Sequence, residues 1–153
     1  MIIKSTRLGE LTAEAEQIIT FPRGLPGFER ERQFVICDHP GSRSIKWLQS
    51  ACDPDLALVL VDPFEFYPDY HIDIPEDQAG EVLPANADEL AVMSVLTVRP
   101  ELTRTTANLV APIVVNRTKR LGVQVILQGT CYSTRHPLVP VAEGRAGYEA
   151  RCS

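Results

Sequence analysis

The sequence predicts one mainly β domain, a barrel or sandwich of short strands with one or two short helices. Three observations carry that reading. Twelve prolines are spread through 153 residues, and proline, which lacks an N–H and clashes with the preceding turn, excludes long helices wherever it recurs. Between the prolines lie short runs rich in Val, Ile and Leu, bounded by Gly, Pro, Asp and Ser clusters that turn the chain. The length suits a single core, since at this size about 70% of the unfolded chain's surface can be buried without disulfides or metal.

Strands are expected at Ile2–Leu8, Gln17–Phe21, Phe34–Cys37, Ile45–Ser50 and Leu56–Val61, each ended by such a cluster. Leu90–Val98 reads as a buried strand. Ile113–Leu127 reads as a hairpin whose polar turn, Asn116–Gly122, carries Arg117, Lys119 and Arg120 at its tip. The helix expected at Pro75–Leu83 starts on a proline suited to a first turn, with Glu76 and Asp77 at the positive end of the dipole. A second short turn is expected at Asn86–Glu89. Trp47, the single tryptophan, should be buried in its strand against Leu58 and Leu60. Residues 1–139 form the domain, and 140–153 read as a loose tail.

Composition excludes several classes of function. A net charge of −5 argues against a direct nucleic-acid binder, which neutralises phosphates with a basic footprint, and against docking on an anionic membrane. No stretch approaches the roughly 20 apolar residues of a membrane span, and MIIKSTRLGE lacks the sections of a signal peptide. A cytoplasmic protein is expected. Cys37, Cys52, Cys131 and Cys152 form no C-x-x-C pair and read as small buried hydrophobes, with Cys152 a tail thiol, so no metal is expected. No G-x-S-x-G elbow or phosphate-cradling glycine loop is present. His39, His71 and His136 sit beside or within proline-rich turns, and His136, the one that could serve as a base near Cys131 or Ser133, has no orienting partner nearby in sequence. No catalytic residue and no cofactor follow from the residues.

Charge and aromatics point instead to a binding surface. Between Trp47 and Val98 there are 11 acids and no Lys or Arg. That run is either a solvated face or an electrostatic docking surface for a basic protein. Within it, 62–70 (DPFEFYPDY) holds four of the nine Phe and Tyr residues. Phe64, Phe66 and Tyr70 alternate with polar residues as core positions of a strand would, while Tyr67 and Tyr70 are the better interface candidates because their hydroxyls can stay wet. Asn108–Asn116 carries more apolar residues than one strand face needs, and Pro112 removes a ladder donor. It is therefore expected at an edge or beside a bulge, with Val110 or Val114 exposed beside Asn108. The candidate partner-binding residues are Asp62, Glu65, Tyr67, Asp69, Tyr70, Asp73, Asn108, Val110 and Val114.

Four stretches, taken in order, resemble the bacterial flagellar assembly factor family of the FliW type. They are Phe21–Glu29 (FPRGLPGFE), Trp47–Tyr70, Asn108–Asn116 (NLVAPIVVN) and Tyr132–Leu138 (YSTRHPL). Departures lie at Asp38–Ser44, around Pro75–Ala87 and after Val139. The resemblance implies a compact pseudo-barrel of mixed strands, somewhat like a split flavin-binding barrel, without catalytic residues or cofactor. It also implies two partners: the carbon storage regulator, a translational repressor whose block on flagellin synthesis is relieved, and flagellin, bound in a chaperone-like way. A flavin- or nucleotide-binding split-barrel enzyme is the alternative, resting on barrel analogy alone.

Overall fold

Short strands form where the apolar runs lie, and turns form where Gly, Pro and Asn interrupt them. The computed structural model describes residues 1–39, 42–83, 87–98, 100 and 104–137. The tail expected over 140–153 and the start of the turn expected at Asn86–Glu89 lie outside the described residues. In chain order the strands are β1 (Ile2–Ser5), β2 (Gly9–Thr12), β3 (Ile18–Thr20), β4 (Gln33–His39), β5 (Ser42–Ser50), β6 (Ala57–Val61), β7 (Leu90–Thr97), β8 (Thr106–Ala107), β9 (Ile113–Asn116), β10 (Leu121–Gln124) and β11 (His136–Pro137). Two one-turn helices, α1 (Pro63–Phe66) and α2 (Glu76–Ala79), lie between β6 and β7, and 3-10 turns occupy Ala15–Gln17, Gly80–Val82 and Ala87–Glu89.

Seven strands close a barrel in the order β7-β6-β5-β4-β3-β10-β9 and back to β7. Its joints are antiparallel except β3–β10, which is parallel and joined by one residue pair, Thr20 with Leu121. β8 and β11 extend the same sheet beyond β7. The lumen is filled by one apolar cluster that includes Ile19, Phe34, Leu48, Leu60, Ile113 and Val115. Phe21 lies across it with its ring edge-on to Phe34, centroids 5.3 Å apart. Gly122 makes room for that ring, since a Cβ there would stand 2.6 Å from Phe21 Cζ.

The barrel's outer face is apolar in three places, and each carries a cover made by the same chain. The β1–β2 hairpin buries Ile3 and Ala13 against Val35 of β4. The segment through α1 packs Tyr67 and Tyr70 with Val61, Leu96, Ala107 and Leu109. The α2 segment packs Ala79 and Val82 with Val114, Val123 and Val125. A fully buried Gln49 fastens the hairpin, accepting from the Ser5 hydroxyl at 2.7 Å and donating to the Ser50 and Asp53 carbonyls at 3.1 Å.

Several expectations need correction. The 113–116 strand is not an edge: β9 lies between β7 and β10, and its apolar outer face is covered by α2. Between the pairs Leu96–Ala107 and Met93–Ile113, β7 advances three residues while the facing chain advances six. Trp47 is half-buried, because alternation sends Leu48 into the lumen with Leu58 and Leu60 and leaves Trp47 on the opposite face. There it pairs with Val59, and the Arg7 guanidinium stands 5.3 Å from its ring. The cysteines are less buried than expected. Cys37 is half-buried, Cys52 is exposed, and Cys131 is exposed and engaged in a disulfide.

Candidate partner interface

The aromatic and acidic segment after β6 is helical at its start, which overturns its reading as an alternating strand. Asp62 caps it, its carboxylate accepting from Phe64 N at 2.9 Å, and Pro63 fills the first helical position. Pro63, Tyr67 and Tyr70 are buried, the last two beyond the end of α1, where Tyr70 N donates to the Tyr67 carbonyl at 2.9 Å. Phe64 is left exposed at 40%, between exposed Asp62 and Glu65. The roles expected of the rings are thereby reversed, Phe64 being the wet aromatic and Tyr67 and Tyr70 the buried ones. The Tyr70 hydroxyl donates to the Leu109 carbonyl at 2.8 Å, and its ring lies 4.9 Å from that of Tyr132. Burial first, and Tyr132 beside it second, hold the Tyr70 phenol well above its ordinary range.

Of the remaining candidates, Asn108 and Val110 are half-buried and Val114 is fully buried. The Asn108 carboxamide oxygen accepts from Val110 N and Ala111 N, at 3.2 and 3.0 Å, and so shapes the turn between β8 and β9. Val110 is half-buried and its carbonyl accepts from Leu127 N at 2.8 Å. Val114 is fully buried under α2.

The acids lie around two depressions. Asp62, Phe64 and Glu65 border one of about 440 Å³, opposite Lys46, Met93 and Arg117. Asp73 and Asp77 border the other, about 510 Å³, opposite Leu127, Gly129 and Tyr132. Asp69 is exposed between the two stretches, and Asp73, 96% exposed at its side chain, stands 3.5 Å from His71 Nε2. Sequence reasoning missed Gln78, whose side-chain amide bonds both backbone groups of Ile126, and missed the 126–130 wall. No composition signal marks either, because main-chain groups do the work there. Among the described residues no group of three His, Cys, Asp or Glu side chains is placed to hold a metal.

The class of protein is a closed β barrel whose surface after β6 is acidic and aromatic and borders two depressions. The sequence model of the FliW protein family matches residues 2–138. A flagellar assembly factor FliW of Desulfitobacterium hafniense (strain DSM 10664 / DCB-2) is 44% identical over 145 residues, 95% of each chain. That of Bacillus subtilis (strain 168) is 38% identical over 138 residues, 90% of this chain and 96% of the relative. A crystal structure of the flagellar assembly factor FliW superimposes with a TM-score of 0.86 at 38% identity, covering 92% of this chain and 98% of the other. The chain belongs to the FliW family of flagellar assembly factors, which is a family of assembly proteins and not of enzymes. Among the described residues no helix is long and apolar enough to cross a membrane.

Proposed function

We propose that this chain acts in the cytoplasm as a binder of the carbon storage regulator, relieving its repression of flagellin synthesis, and that it also binds flagellin in a chaperone-like way. One observation carries the reading. The 47–98 window holds 11 acids without a Lys or Arg, and Asp62, Glu65, Asp69, Asp73, Glu76 and Asp77 all keep their side chains exposed around Phe64 and the α2 segment. Such a surface fits a partner that is itself basic, as a protein that holds RNA must be. A repressor docked there would also present RNA phosphates with a negative field reaching about 8 Å at physiological salt. The docking surface proposed is Asp62, Phe64, Glu65, Asp69 and Asp73. Asn108, Val110 and the buried Tyr67, Tyr70 and Val114 support it from behind.

The test is association kinetics with the purified repressor. Asp69→Lys with Asp73→Lys should slow association several-fold at low salt and leave the circular dichroism spectrum unchanged, because exposed rim charges act mainly on the on-rate. An unchanged on-rate removes this surface from the docking route.

A further inference from the structure

The side-chain amide of Gln78 occupies a strand edge as a strand would. Its Nε2 donates to the Ile126 carbonyl at 2.9 Å, and its Oε1 accepts from Ile126 N at 2.6 Å. Those are the two bonds that an antiparallel neighbour exchanges with one residue of a ladder. On the other side of the same segment, Val125 N and Leu127 N donate to the Pro112 and Val110 carbonyls. Alternation therefore turns the main-chain groups of residues 124, 126 and 128 outward. Gln78 also borders two cavities along this edge. The 510 Å³ cavity lies toward Leu127 and Gly129, and one of about 180 Å³ lies toward Gly122 and Val123. Gln78 is the residue that borders both.

The geometry points to a latent strand-addition site: the 124–128 edge takes an extended basic peptide segment as an added strand when the Gln78 side chain swings away, which joins the two cavities into one groove. At about 3.3 Å per residue the edge accepts roughly five residues. Charge selects the occupant. Asp73 and Asp77 border the larger cavity and Glu81 the smaller. Facing them are His71 and Arg23, whose guanidinium is occupied by the Asp77 and Gln78 carbonyls. Lysine or arginine at alternate positions of the added strand would meet these acids. The inference rests on the reading that the acidic side is the docking side, and it adds how a partner segment would be held there.

The probe is an end-capped Lys-Val-Lys-Val-Lys-Val peptide, compared with a backbone N-methylated version and a Glu-Val counterpart, each titrated into the full chain while amide resonances are followed. Shifts should concentrate at residues 124–128. N-methylation should weaken binding at least tenfold, the Glu peptide should not bind, and Gln78→Ala should tighten binding about tenfold. Should Gln78→Ala fail to fold, Gln78→Met keeps the side-chain length, removes both hydrogen bonds and should tighten binding likewise. Equal binding of the N-methylated peptide, shifts elsewhere, no binding, or indifference to residue 78 overturns the site. If the repressor and flagellin fail to bind while the peptide still marks 124–128, the proposed partners fall and the edge stands. If they bind and the peptide does not, the edge alone falls.

Discussion

Tyr70 shows how one residue can be misread by type. As a tyrosine it suggested a wet interface ring. In the structure it is buried beyond the end of α1, with its hydroxyl on the Leu109 carbonyl and its N–H closing a turn on the Tyr67 carbonyl. Tyr70→Phe keeps the packing but leaves that buried carbonyl unpaired, so it should cost about 1–3 kcal/mol in denaturant unfolding. The pH dependence has a definite sign. Because the folded-state phenol is held above its ordinary value, its stabilisation is intact below the unfolded pKa of about 10 and is lost as pH rises toward the folded value. Unfolding curves between pH 9 and 11 should therefore fall less steeply for the Phe variant, and parallel curves would contradict the assignment. Alternation alone made Phe64 a core residue, and a four-residue helix gives too short a period to be distinguished from it.

At the scale of elements, the local signals were legible and the non-local ones were not. β3 to β7, the β9–β10 hairpin and the α2 segment stand close to where β-branched runs, turn clusters and Pro75 placed them. The hairpin tip is built as its polar turn suggested: the Asn116 carboxamide oxygen accepts from Thr118 N and Lys119 N at 3.0 and 2.9 Å, and Arg120 takes a φ of 56°. What the sequence could not disclose is that β9 pairs with β7 as well as with β10, since pairing across a barrel leaves no local pattern. That error made an interior strand look like an edge awaiting a partner. Val114→Asp should accordingly unfold the domain and not merely abolish docking. It places an unpaired charge among Ala79, Val82, Val123 and Val125. A folded variant with normal thermal unfolding would return Val114 to the surface.

For the whole molecule, the acidic middle was evident from composition. Closure of the barrel was not, because the strands that close it lie far apart in the chain. The site was partly legible for the same reason. Asp62, Glu65, Asp69 and Asp73 could be proposed from charge, but the contact of Gln78 with Ile126 is made to main-chain groups that every residue possesses. Barrel closure also sets a schedule on the ribosome. The joint between β3 and β10 is a single pair, Thr20 with Leu121, tied by Thr20 N to the Arg120 carbonyl at 2.9 Å. About a hundred residues must be made between its halves, on the order of 5–20 s at ordinary elongation rates. A newborn chain therefore carries β3, with Ile18 and Ile19, as an unmatched strand edge for seconds, open to pairing with any other emerging chain. In the finished protein the same clasp should let go first. The Thr20 amide is expected to exchange with solvent well before those of β4 and β5, and equal protection would show that the clasp is as strong as the rest of the ring.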